Sequence, residues 1–220
     1  MTTAVERPWV QEMIVVHRVF RRESQNLAAL VAAVRPGDTA RATLLAGLAR
    51  GYVEGLHGHH TSEDELLWPK LLARVDLDAD LVLRMEQQHH VVADGLAEVE
   101  GCLTAWAATA GAAERDALVA ALHRHRADLL THLDEEERSV LPLIAEHITV
   151  AEWAALGEHA RAKTPKDKQL FLLGALLEDA TPAETERFLS MLPLAARLAY
   201  NLVGKRAYAK QMRRVRQLDA

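Results

Sequence analysis

HHTSEDELLWP occupies residues 59–69, and HLDEEERSVLP occupies residues 132–142. Each stretch opens on a histidine, places carboxylates four and five residues on, and closes on a bulky apolar residue followed by proline. The two histidines are 73 residues apart. On an α-helix, residues i and i+4 share a face. Each stretch therefore presents a His-x-x-x-Glu pair to one side of its helix: His59 with Glu63, and His132 with Glu136.

The surrounding sequence is helical. Ala and Leu dominate, half the residues are hydrophobic and only 5% are aromatic, which favours an all-α chain. Arg35-Pro36-Gly37, the Asp76–Asp78 break and Gly111 punctuate four long amphipathic segments, at about 8–34, 38–72, 79–108 and 112–147. Short connections between long helices predict an antiparallel up-down-up-down four-helix bundle. The doubled motif falls on the second and fourth helices. The first and third each carry a histidine in an apolar-periodic setting, His17 in MIVVHRVFRRE and His89 in MEQQHHVVADGL, 72 residues apart. The bundle thus reads as two helical hairpins of one design.

Helical phase points these polar residues inward. Leu118, Leu122, His125, Leu129, His132, Glu136 and Val140 follow three-four spacing, as do Leu45, Leu48, Tyr52, Leu56, His59, Glu63 and Leu67. His89 falls in line with Val82, Met85, Val92, Leu96 and Val99; His17 with Met13, Ser24 and Leu27 is a weaker match. Buried charges are normally paired or bound to metal. Mutual His–Glu hydrogen bonding is the bland outcome, and a metal cluster the sharper one. Imidazole and carboxylate without thiolate suit iron, manganese or zinc. Two bridging glutamates, four histidines and an oxo or hydroxo bridge fall two bonds short of two six-coordinate ions, which leaves room for another side chain or an exogenous molecule. Ferritin-like bundles place Glu before His at i, i+3; the reversed order and wider spacing here point to a histidine-rich site.

These residues resemble those of hemerythrin-like proteins, the HHE cation-binding domains. The resemblance covers about residues 10–147 and rests on His17, the His59–Asp64 segment with Trp68-Pro69, His89, and the His132–Glu137 segment with Leu141-Pro142. It implies a non-haem di-iron centre, two Fe per chain, that binds or reacts with dioxygen, peroxide or nitric oxide. By matching position it implies His17, His59, Glu63, His89, His132 and Glu136 as ligands. One feature departs from the oxygen carriers: they have a second histidine four residues from the third-helix one, and here Met85 and Ala93 stand at those positions. His60 is the best candidate for a fifth histidine, because some HHE domains use the residue after the helix-two histidine. His125 is a second candidate, and His90 is turned a full 100° from His89.

The remaining sequence bounds these readings. Residues 1–148 are expected to form the bundle, and residues 149–220 a C-terminal helical extension. Capping boxes at Thr149–Glu152 and Thr181–Glu184, with a cap at Thr164-Pro165, announce three or four shorter helices. The last, from about Leu194 to Gln217, is basic: residues 205–220 sum to +5 (six Lys/Arg less Asp219), so the remainder of the −5 chain sums to −10. Membrane-surface binding or self-association through that helix is the expectation, and nucleic acid is not an expected partner. Asp64 and Glu137 are expected to orient ligands or face solvent, and Arg21-Arg22-Glu23 to form a solvated face. A single cysteine, Cys102, precludes an intramolecular disulfide. MTTAVERPWVQE lacks a basic stretch followed by an apolar one, and no apolar run approaches a membrane span, so a soluble cytoplasmic protein is expected. The alternative to small-molecule chemistry is an iron- or oxygen-sensing module that signals through its C-terminal helices.

Overall fold

A computed structural model describes residues 6–216. Among them every regular element is helical. The long helices are α1 (Gln11–Ala32), α2 (Thr39–Leu66), α4 (Ala79–Thr109) and α5 (Ala112–Glu135); α3 (Trp68–Leu72) follows α2, and α6 (Leu141–His147) follows α5 through a π-helical turn, Glu136–Val140. Then come α7 (Val150–Lys163), α8 (Lys166–Leu177), α9 (Pro182–Ser190), α10 (Leu194–Ala199), a second π turn (Tyr200–Gly204) and α11 (Lys205–Arg216). The described residues form two compact units, one comprising Phe20–Ala160 with the residues up to Val10, the other Gln11–Val19 with the residues from Arg161. No helix among the described residues is long and apolar enough to cross a membrane.

Local chemistry sets the ends of these helices. The Asp38 side chain accepts from the Arg41 N–H at 2.9 Å and starts α2. Thr181 and Glu184 form a reciprocal capping box at α9, and Thr149 with Glu152 does the same at α7. The expected cap at Thr164 does not form: Pro165 itself takes the cap position of α8, without a side-chain cap. Ala110 closes α4 in the left-handed region, φ 48°, where its carbonyl accepts from Gly37 N–H.

The buried stripes place the site. On α2 the buried residues include Leu45, Ala49, Tyr52, Leu56, His60 and Glu63, whereas Leu48 is half-buried. A stripe that starts at Leu45 and advances ~3.6 residues per turn reaches its fourth turn between residues 59 and 60. His59 and His60 therefore straddle the line of burial, and both turn toward the interior. On α4, Val82, Met85, His89, Val92, Leu96 and Val99 are buried as one row. α4 packs along both α2 and α5.

The two copies of the motif break at the same place in different ways. Proline cannot donate to the fourth preceding carbonyl, so neither helix can run straight through Pro69 or Pro142. In the first copy α2 stops at Leu66 and restarts as α3 after Leu67. In the second, the backbone widens into the π turn, and the Leu141 N–H bonds to the Glu136 carbonyl five residues back. Burial beyond the break is nevertheless identical. Leu67, Trp68, Leu71 and Val75 are buried after Glu63, and Val140, Leu141, Ile144 and Ile148 are buried after Glu136, at the same four offsets.

In the second unit α11 packs on α8. The Tyr208 ring lies so close to Gly174 that a Cβ there would sit 2.6 Å from it. Glu178 holds this pair, accepting from the Tyr208 hydroxyl at 2.6 Å and from Arg216. At the start of α1, Arg18 donates to both oxygens of Glu184, at 2.7 and 2.9 Å, and Gln11 adds a third bond at 3.2 Å.

Candidate metal centre

Four histidines and two glutamates carried by four helices are fully or almost fully buried: His17, Glu63, His132 and Glu136 at 0% exposure, His89 at 4% and His60 at 5%. The His59 side chain is 12% exposed. Apart from Glu136, which joins neither, their ligand atoms gather in two groups. His60, His89 and His132 form one, with ligand atoms within 4.8 Å of one another, and His59 with Glu63 the other, 3.4 Å apart. The His60 ring stacks on His89 with centroids 4.1 Å apart, and both stand edge-on to His132. His59 is backed by Phe20, and His89 by the indole of Trp68.

The ring nitrogens facing away from the site are spoken for. His89 Nδ1 is 2.6 Å from Asp64 Oδ1, and His132 Nδ1 is 3.2 Å from Gln88 Oε1. An ionised carboxylate and an amide oxygen only accept, so each imidazole carries its proton on Nδ1 and presents Nε2 to the interior. Gln88 is fixed in turn by Glu135, to which it donates at 2.7 Å. Arg21 bridges Asp134 and Glu137 at 2.8 and 3.0 Å, on either side of Glu136. The expectation of a solvated face at Arg21 is thus corrected: its guanidinium ties α1 to the end of α5.

The inward-facing atoms are close without bonding. Glu63 Oε1 lies 3.4 Å from His59 Nε2, Glu63 Oε2 lies 3.6 Å from His89 Nε2, and Glu136 Oε2 lies 3.6 Å from His132 Nε2. Neither Glu63 oxygen accepts a hydrogen bond, and His89 Nε2 makes none. At 3.6 Å a hydrogen bond is not formed. Where Nε2 carries a lone pair, it and the carboxylate oxygen repel each other. Burial, then the Glu136 charge, then the Asp64 charge push the Glu63 carboxyl well above the usual carboxylate range. A cation between these atoms removes all three difficulties, and all-imidazole and carboxylate donors suit iron. The residues fit the metal that the sequence implies.

A cleft of about 220 Å³ opens onto the site from the α2–α4 side, lined by His57, His60, Thr61, Asp64, His89 and His90 among others. His57 and His90 are exposed and lie outside both groups. His125 is buried at 1% exposure, but its Nε2 is 2.7 Å from the Tyr52 hydroxyl and it joins neither group. Sequence reasoning did not anticipate Tyr52 or Gln88. The available signal for the first is that Tyr52 and His125 each precede a motif histidine by seven residues; for Gln88 it is adjacency to His89 on the edge of the α4 stripe.

A buried set of histidines and glutamates on amphipathic helices, with their ligand atoms brought together, defines a metal-binding helical protein. The family described as the hemerythrin HHE cation binding domain matches residues 10–144, more than half of the chain, and the chain belongs to that family. Nothing among curated proteins or solved structures matches it.

Proposed function

We propose that this chain is a non-haem di-iron protein in which the long helices form an antiparallel four-helix bundle, and that it binds or reacts with dioxygen, peroxide or nitric oxide. The observation that carries the reading is the placement of Glu63. One of its oxygens faces His59 of one histidine group, and the other faces His89 of the second. That is the disposition of a carboxylate shared by two ions. Glu136 takes the equivalent place in the second copy of the motif. His17 and His59 would hold one ion, and His60, His89 and His132 the other, with His60 as the fifth histidine. The ion with two histidines is the one with room for an exogenous ligand. When bound, iron supplies one-electron redox chemistry and an open coordination position. The protein's own share is to hold the imidazoles through Asp64 and Gln88, to keep bulk water out with Phe20 and Trp68, and to admit small molecules past His60. Asp64 is half-exposed and bonded to buried His89, so it fixes that ring with Nε2 toward the site.

Metal analysis with an absorption spectrum of the same sample tests the reading. About two irons per chain, with near-ultraviolet charge-transfer bands that Glu63→Ala removes, are expected. A single zinc, or no metal, overturns it.

A second reading, an iron- or oxygen-sensing module, has one observation in its favour. His17 and Arg18 are neighbours on α1, and Arg18 is the residue that grips Glu184 at the start of α9. A change at His17 would reach that ion pair along a single helix. Proteolysis of residues 161–216 at the same rate in metal-free, ferrous and ferric protein would exclude it.

A further inference from the structure

Five of the ten large apolar side chains exposed in the described chain fall between residues 191 and 203: Met191, Leu194, Leu198, Leu202 and Val203, at 45–65% exposure. Leu194, Leu198 and Leu202 stand four residues apart, along one ridge of the helical segment α10–α11. This is not the ridge that holds the segment in place. Tyr200, Gly204, Tyr208 and Met212 are buried instead, with Gly204 against Leu170 and Tyr208 against Gly174 of α8. The leucines are thus surplus to the packing of their own unit.

The same segment is strongly basic. Residues 191–216 contain seven Lys or Arg and no Asp or Glu. Lys205, Arg206, Lys210, Arg213 and Arg214 are exposed, immediately after the leucine ridge. Arg216 is taken up by Glu178. The acidic residues of the chain lie elsewhere.

We propose that this strip docks the protein on an anionic membrane surface, with the leucine ridge in the interfacial layer and the basic residues at the headgroups. Apolar burial and attraction to anionic lipid act together in such a segment. The charge argues against the other occupants. A second copy meeting the strip face to face would bring its five exposed cations against the same five. A nucleic acid would satisfy the cations and leave the leucines in water.

Flotation of the full chain with phosphatidylcholine vesicles, with and without about 30% phosphatidylglycerol, tests this. Binding to the anionic vesicles at least about tenfold above the neutral ones is expected, weakening as salt is raised. Leu198→Glu with Leu202→Glu should abolish it, while helicity and metal content stay unchanged because both side chains are exposed. Lys205→Glu with Arg206→Glu should weaken it. Absence of binding, or equal binding to neutral vesicles, overturns the proposal. So does a dimer in light scattering that Leu198→Glu dissolves, or binding to duplex DNA that Leu198→Glu leaves intact.

Discussion

His132 and His125 are both buried on α5, at 0% and 1% exposure, and differ in what they meet. His125 meets the Tyr52 hydroxyl at 2.7 Å. His132 meets a glutamate oxygen at 3.6 Å, among other imidazoles. They lie seven residues apart, about 10 Å along the helix. In the Tyr52–His125 layer burial drives both partners to neutrality: the imidazole is pushed down to about 4, and the phenol is pushed up. In the other layer burial and the neighbouring Glu136 charge raise the Glu63 carboxyl well above the usual carboxylate range. Burial of a histidine therefore says little about metal. What marks the metal layer is a set of imidazole and carboxylate ligand atoms brought within reach of one another.

The largest expected contrast is in metal content. His132→Ala should remove at least one of the two ions, and His125→Ala should remove neither, as read by mass spectrometry. Equal loss in both variants would erase the distinction between the layers. Next comes stability without metal. The folded Glu63 carboxyl titrates above its ordinary value of 4.5, so the folded metal-free protein keeps a proton that the unfolded chain has lost. Its stability should fall as pH rises above about 4.5. The metal-bound protein should do the reverse and lose its ions in acid, because ligands must be deprotonated. Denaturant titrations of chelated and loaded protein across that range separate the two.

The Tyr52–His125 layer has its own signature. A histidine with a folded value of about 4 against 6.5 unfolded contributes fully above pH 6.5, and that contribution is lost as pH falls toward 4. The loss amounts to about 3 kcal/mol. His125→Leu should flatten this segment of the stability profile. Tyr52→Phe should cost about 1–3 kcal/mol by leaving the imidazole without its partner, with metal content unchanged. The smallest effect expected is at Asp64. Asp64→Asn keeps an acceptor for His89 Nδ1 and removes the charge, and metal affinity should fall about 10-fold. An unchanged affinity would show that Asp64 does not orient His89.

Sequence carried the first of these layers better than the second. The pairs His59–Glu63 and His132–Glu136 are legible because i and i+4 share a helix face whatever the tertiary structure does. His17 and His89 are legible from their apolar stripes. His60 needed the fraction by which 3.6 residues per turn departs from whole numbers, which carries the α2 stripe between residues 59 and 60. Partners across helices left no such trace. Beyond the shared seven-residue offset of Tyr52 and His125 from the motif histidines, nothing in the spacing of Gln88 and His132 or of Arg21 and Glu137 reveals which faces meet, because that depends on the rotation of one helix against another. Pro69 and Pro142 announced a break but not its form, since a restart and a π turn both relieve a missing N–H.

That break has a practical side. Leu67, Trp68, Leu71 and Val75 repeat the offsets of Val140, Leu141, Ile144 and Ile148 across two different backbone irregularities. Segments that keep one register through unlike hinges are interchangeable parts. Residues 63–75 grafted over 136–148 would keep the four buried apolar positions in phase, and the reverse graft would do the same. The chain holds two cassettes of a single component, and either is a template for rebuilding the other.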